Sequence, residues 1–157
     1  MGRVALERTL LTSNNYAILL VEDDHNDVLL IKRAFQKVKI ANPIIVVNDG
    51  EQAVSYLAGR EPFVDRPLPI LVLLDLKLPR KSGHEVLEWL RQQPNLKRLP
   101  VVVLTASSES SDVNRAYDLG ANSYLVKPVT FDALVEMVKT LNLYWLILNK
   151  RADVSHE

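Results

Sequence analysis

Cysteine is absent from all 157 residues. Disulfides, thiol catalysis and cysteine-ligated zinc are excluded with it. Net charge is absent too, because Lys plus Arg and Asp plus Glu stand at 19 each. A protein that binds nucleic acid by neutralising phosphates carries a basic surplus, so no nucleic-acid partner is expected. No window holds eighteen uninterrupted apolar residues, so no membrane-spanning helix and no membrane partner are expected. The opening stretch MGRVALERTLLTSNNY has charges at Arg3, Glu7 and Arg8 and no apolar core long enough for a signal peptide. Leu6 stands where N-myristoylation requires Ser or Thr. A cytoplasmic location is the expectation. Glycine is scarce, and none falls in EDDHND (22–27), where a nucleotide-binding loop would need it.

What is present suits one globular domain: 48% hydrophobic and 24% charged residues. Five short apolar runs read as strands: Tyr16–Val21, PIIVV (43–47), Ile70–Leu74, PVVVL (100–104) and SYLV (123–126). Helical spacing alternates with them. Asn26 or Asp27 is the expected cap of the first helix, followed by Ile31, Ala34, Phe35 and Val38. Further helices are expected over EQAVSYL (51–57), Gly83–Gln92, Ser111–Leu119 (ending at Gly120) and from Thr130 to about Lys150. The stretch AGREPFVDRPLP (58–69) is a long connection. Strand-helix alternation with continuously apolar strands calls for an α/β fold with a parallel sheet covered by helices on both faces. In the five-stranded order 2-1-3-4-5, a ligand crevice opens between strands one and three at their carboxyl ends.

Those two strands end in acids. ILLVEDD (18–24) runs into Glu22, Asp23 and Asp24, and VLLDLKLP (72–79) into Asp75. Carboxylates crowded into one crevice repel, and a divalent cation relieves them. Oxygen-only ligands favour a hard ion, and Mg²⁺ suits few carboxylates completed by waters and a phosphate. Strand four ends in Thr105, and Lys127 followed by Pro128 lies beyond strand five. A hydroxyl and an ammonium facing an acid cluster can hold phosphate oxygens, and an aspartate can serve as nucleophile toward phosphorus.

The set VED (21–23), LLDLKLP (73–79), Gly83, LTA (104–106) and YLVKP (124–128) resembles the receiver domains of two-component response regulators, in order and spacing, over roughly residues 14–143. That resemblance implies a flavodoxin-like receiver fold in which Asp75 accepts a phosphoryl group from a sensor histidine kinase. It further implies that Asp23, Asp75 and the backbone carbonyl of Lys77 bind Mg²⁺ directly, with Mn²⁺ as a substitute, and that Glu22 acts largely through water. Thr105 and Lys127, with Ala106 beside them, would hold phosphate; Thr105 and Tyr124 would form a conformational switch; and the Lys127–Pro128 peptide would be cis. LLDLKLPRKSGHEVL, the long loop and the apolar C-terminus look most like stand-alone receivers paired with bacterial phytochrome kinases. Such a protein is a phosphoacceptor rather than an enzyme.

Other readings stand beside this one. A Mg²⁺-dependent phosphohydrolase with an Asp nucleophile usually places an acid two residues later, where this chain has Lys77. A pseudo-receiver that only binds would not need Asp75, Asp23 and Lys127 together. Asp24 is expected as a surface acid near a helix N-terminus, and His25 and His84 as solvated side chains. From the residues alone, Tyr124 is either a half-buried strand aromatic or a switch residue.

Residues 1–13 are expected to form a tail, 14–143 the receiver, and 144–157 a helical extension and tail. About thirty residues follow the fifth strand, so output by protein contact is expected rather than an attached effector domain. In the last helix Phe131, Leu134, Val135, Val138, Leu141, Trp145 and Leu148 form the stripe that covers the sheet. Met137, Tyr144 and Ile147 lie off it, with Leu143 and Leu146 close by. A second apolar side marks an interface, so a symmetric homodimer through Met137, Tyr144, Trp145, Ile147 and Leu148 is expected. The alternative is closure of the segment over the domain's own core, with Leu10 and Leu11.

Overall fold

A computed structural model describes residues 16–155. Five strands, β1 (Ile18–Val21), β2 (Ile44–Val47), β3 (Leu71–Leu74), β4 (Val101–Thr105) and β5 (Ser123–Val126), alternate with five helices. The helices are α1 (His25–Val38), α2 (Gly50–Ala58), α3 (Gly83–Arg91), α4 (Ser110–Asp118) and α5 (Phe131–Leu141). All strand pairs are parallel, in the order β2-β1-β3-β4-β5. The expected α/β topology is therefore the observed one.

Alternation along each strand divides the core into two layers. Leu19, Val21, Val72, Leu74, Val101 and Val103 face α2, α3 and α4, where Val54, Leu57, Val86, Leu87, Leu90 and Ala116 are buried. Ile18, Leu20, Leu71, Leu73, Val102 and Leu104 face α1 and α5, against Ile31, Phe35, Leu134, Val135 and Val138. The long connection after α2 is fastened by the Tyr56 hydroxyl, which donates to the Pro67 carbonyl at 2.7 Å, and by Phe63 against the Tyr56 ring.

Several local expectations are corrected. Asp24, not Asn26 or Asp27, caps α1, its Oδ1 accepting the Asp27 N–H at 3.1 Å. Asp24 is thus an exposed acid at a helix N-terminus, as expected. Gly120 lies just beyond the cap residue Leu119, with φ 102°, a left-handed value that glycine adopts without strain. The last helix does not stay α-helical to Lys150. At Asn142 it changes to a π-helical segment, Asn142–Leu148, closed by the Asn149 N–H on the Tyr144 carbonyl. The wider turn rotates later side chains out of register. Leu148, placed by α-helical spacing on the buried stripe, is 66% exposed. The expected patch divides: Tyr144, Ile147 and Leu148 face outward, while Met137 and Trp145 are half-buried against the α1/α5 layer. Leu10 and Leu11 lie outside the described residues. His84 is buried rather than solvated, because α3 begins against α4 and its ring is enclosed between them; His25 is exposed as expected.

Candidate functional site

The parallel sheet delivers the carboxyl ends of β1, β3, β4 and β5 to one edge, and the charged residues follow those ends. Glu22 and Asp23 leave β1, Asp75 leaves β3, Thr105 closes β4 and Lys127 follows β5. Glu22, Asp23, Asp75 and Lys127 line an open cleft of about 490 Å³, in which Asp24, Asp27 and Lys77 also take part, while Thr105 is fully buried. One carboxylate oxygen each from Glu22, Asp23 and Asp75 lie within 4.8 Å of one another, with Glu22 and Asp75 buried and Asp23 exposed. An all-oxygen triad of this kind, open to water on one side, fits a hard divalent cation.

Lys127 sits among the acids. Its Nζ donates to Glu22 Oε2 at 2.9 Å, Asp27 Oδ2 at 2.9 Å and Asp75 Oδ2 at 3.0 Å. The other Asp75 oxygen, Oδ1, accepts the Thr105 hydroxyl at 2.7 Å and the Lys77 N–H at 3.2 Å. Each carboxylate oxygen of Asp75 therefore has a donor. Burial disfavours the charged forms throughout, and the neighbours decide the outcome. Burial, with Asp75 beside it, pushes Glu22 up to about 8. Burial also raises Asp75, but hydrogen bonds with Glu22, Thr105 and Lys127 outweigh it and hold Asp75 below the usual range. Burial lowers Lys127, and Asp27, Glu22 and Asp75 more than restore it, so the ammonium stays charged. Within this buried acid pair the shifts are opposed, Glu22 raised and Asp75 lowered.

Gly83 matters through closeness. A Cβ there would stand 2.2 Å from the Asp75 carbonyl oxygen, and the Gly83 N–H donates to the Leu76 carbonyl at 3.1 Å. The start of α3 is thereby pressed against the loop that presents Asp75. Tyr124 is half-buried, its hydroxyl donating to the Ser107 carbonyl at 2.9 Å, just past Thr105 in the β4–α4 loop. Ala106 is exposed in the same loop.

The expected residues Glu22, Asp23, Asp75, Thr105 and Lys127 meet in one place. The Lys127–Pro128 peptide is trans, correcting the expectation; the cis peptide among the described residues joins Glu61 to Pro62. Trans is the lower-energy isomer, and the Lys127 ammonium reaches three carboxylates with it. Asp27 was missed as a site residue. Once Asp24 is the cap, Asp27 is the third helical residue, one turn beyond Asp23. That offset was the available signal.

Comparison with known proteins bears on the same residues. The family model described as the response regulator receiver domain matches residues 18–139. The probable methanogenesis regulatory protein FilR2 of Methanothrix harundinacea is 43% identical over 135 residues, covering 86% of each chain. Response regulator Rcp1 of Synechocystis sp. is 41% identical over 129 residues, 82% of this chain and 88% of its own. The solved Mn²⁺-bound form of Rcp1 matches with a TM-score of 0.81 at 39% identity, covering 87% of this chain and 99% of that one. The phosphorylated cyanobacterial phytochrome response regulator RcpA matches with a TM-score of 0.83 at 36% identity, covering 88% and 99%. Identity at this level over nearly whole chains carries more than a shared fold.

Proposed function

Because the chain belongs to the response regulator receiver domain family, we propose that it is a phosphorylation-operated switch whose phosphoacceptor is Asp75. The observation that carries this is the surroundings of the Asp75 carboxylate: Thr105 at 2.7 Å, Lys127 at 3.0 Å, and the carboxylates of Glu22 and Asp23 close by. The donor is the phosphohistidine of a sensor histidine kinase. A carboxylate oxygen of Asp75 forms the bond to phosphorus as the phosphorus–nitrogen bond breaks, and the leaving imidazole takes its proton from solvent. Asp75 is suited to attack because its neighbours keep it ionised. Lys127 exchanges a carboxylate for a phosphoryl oxygen, and Thr105 donates to another. Glu22, Asp23, Asp75 and the carbonyl of Lys77 would hold Mg²⁺, or Mn²⁺ in its place. The ion, when bound, neutralises charge on the transferring group. Support comes from the acid triad of this chain and from the Mn²⁺-bound form of Rcp1.

Incubation of the full chain with acetyl phosphate and Mg²⁺, followed by intact mass measurement, tests this. One phosphoryl group is expected on the wild type, none with chelator, and none on Asp75→Asn. Full labelling of Asp75→Asn overturns the assignment.

The partner side follows from the relatives. The likeness to RcpA and to the bacteriophytochrome response regulator RtBRR supports a kinase of phytochrome type. The kinase's phosphotransfer sets the site of action in the cytoplasm. Tyr144, Ile147 and Leu148, rimmed by half-buried Met137 and Trp145, supply the surface for a symmetric homodimer.

A further inference from the structure

Asp112, in the first turn of α4, lies outside the acid cluster, yet three segments converge on it. Its Oδ2 accepts the Ser107 hydroxyl at 2.5 Å and faces the Lys77 ammonium at 3.6 Å. Its main-chain carbonyl accepts from His84 Nε2 at 3.3 Å. Its side chain is 17% exposed, whereas that of Lys77 is 69% exposed. The Ser107 bond is therefore the strong contact and the Lys77 pair the weak one. Ser107 Oγ also accepts the Glu109 N–H at 3.3 Å. Glu109 is the cap residue of α4 but makes no side-chain cap bond. Ser107 and Asp112 fasten the loop to the helix in its stead. The carbonyl of that same Ser107 accepts the Tyr124 hydroxyl. Contacts thus run from Lys77, two residues past Asp75, through Asp112 and Ser107 to Tyr124, while His84 fixes α4 against α3. The Ser107 hydroxyl above all, outweighing burial and joined by the charges of Lys77 and His84, holds the Asp112 carboxyl below the usual range.

We propose that Asp112 is a positioning residue for the switch, fixing the carbonyl that receives the Tyr124 hydroxyl relative to the loop that presents Asp75. The proposal rests on the roles given above to Asp75, Thr105 and Tyr124. In this structure Thr105 lies on Asp75 and Tyr124 on Ser107, so Asp112 stabilises the arrangement in which both are engaged. Without Asp112, Ser107 loses its anchor and the engaged arrangement becomes less populated. A ligand that selects that arrangement then binds more weakly by the lost fraction.

Two readouts on the full chain decide the matter. One is the ring signal of Tyr124 in protein labelled with ¹³C-tyrosine, recorded without ligand and assigned with Tyr124→Phe. The other is the affinity for beryllofluoride in the presence of Mg²⁺. Asp112→Ala should move the Tyr124 signal toward that of an exposed ring. It should also weaken beryllofluoride binding about 3- to 10-fold, the range a single hydrogen bond commands. Ser107→Ala should reproduce both effects. Asp118→Ala, an acid removed from the other end of α4, should produce neither. A purely structural role would lower the melting temperature of Asp112→Ala and leave the Tyr124 signal in place. An unmoved Tyr124 signal, or unchanged beryllofluoride affinity where the wild type binds it, overturns the proposal. If the wild type takes up no beryllofluoride, the phosphoacceptor role of Asp75 falls, and the ligand-free Tyr124 signal still decides for or against Asp112.

Discussion

Glu22 is 1% exposed and stands beside a second buried acid. Burial and the neighbouring Asp75 raise its carboxyl from an ordinary 4.5 to about 8. Between those values the folded protein holds a proton that the unfolded chain has released. The stabilisation this gives is complete below pH 4.5 and is lost as pH rises through about 8. Asp75 has the opposite sign, since its folded value is lowered below an ordinary 3.8. Its contribution is present above the unfolded value and lost only in stronger acid. In chelator, the melting temperature should therefore fall as pH rises from about 4.5 to about 8 and level off above, by about 2–4 °C for each kcal/mol lost. Glu22→Gln, which keeps the shape and removes the titration, should flatten the profile. Parallel profiles for the two proteins would show that another group titrates. That Asp75, Asp23, Thr105 and Lys127 would meet at one edge of the sheet could be expected from the sequence, because each ends or follows an apolar strand. Asp27 was less legible, because its one-turn offset from Asp23 is a weak signal until the fold brings Lys127 to it.

At the scale of elements, the strands were legible to within one or two residues. A strand buried on both faces must be apolar at every position, and few other segments are. Helix ends were less so: α1 starts where Asp24 offers its carboxylate, and two later polar residues looked equally able to cap. The π-helical segment was not legible at all, because NLYWLIL (142–148) offers apolar residues to any helical period. Leu143, Tyr144, Ile147 and Leu148 are more than half exposed in consecutive turns, Leu148 because the wider turn carries it off the buried stripe. Each Leu- or Ile-sized side chain withdrawn from water stabilises by roughly 1.5–3 kcal/mol, so a few can hold two chains together. The double substitution Tyr144→Asp and Ile147→Asp should yield a monomer that still accepts phosphate at Asp75. Sedimentation equilibrium at high micromolar protein measures this; a wild type that is itself monomeric with and without phosphorylation removes the dimer.

Taken as a whole, the molecule has two unlike ends. Beyond the carboxyl ends of the strands lie the acids; across the amino ends runs the segment after the π helix. There Ser155 and Asn95 exchange two hydrogen bonds, Ser155 N–H to the Asn95 carbonyl at 2.9 Å and Asn95 Nδ2 to the Ser155 carbonyl at 2.6 Å. Val154 packs on the α2/α3/α4 layer, and the Arg151 guanidinium lies 4.2 Å from the centroid of the Tyr16 ring. This strap fixes residues 151–155 to the body of the domain. Val154→Asp should lower the unfolding free energy by about 1–2 kcal/mol, the scale of one half-buried valine replaced by a charge, with phosphate acceptance retained. Urea denaturation gives the value, and an unchanged midpoint would show that the strap contributes no stability.

Lys127 gives the acid cleft a property that a list of its ligands does not convey. Its ammonium bonds two of the three carboxylates that a metal ion would use. Any cation that enters competes with a counter-ion tethered to the same chain, one that can neither be diluted nor washed away. Its effective concentration is set by the length of a lysine side chain rather than by the buffer. Loading of the cleft is thus an exchange between a mobile cation and a captive one, and its midpoint is fixed by the fold.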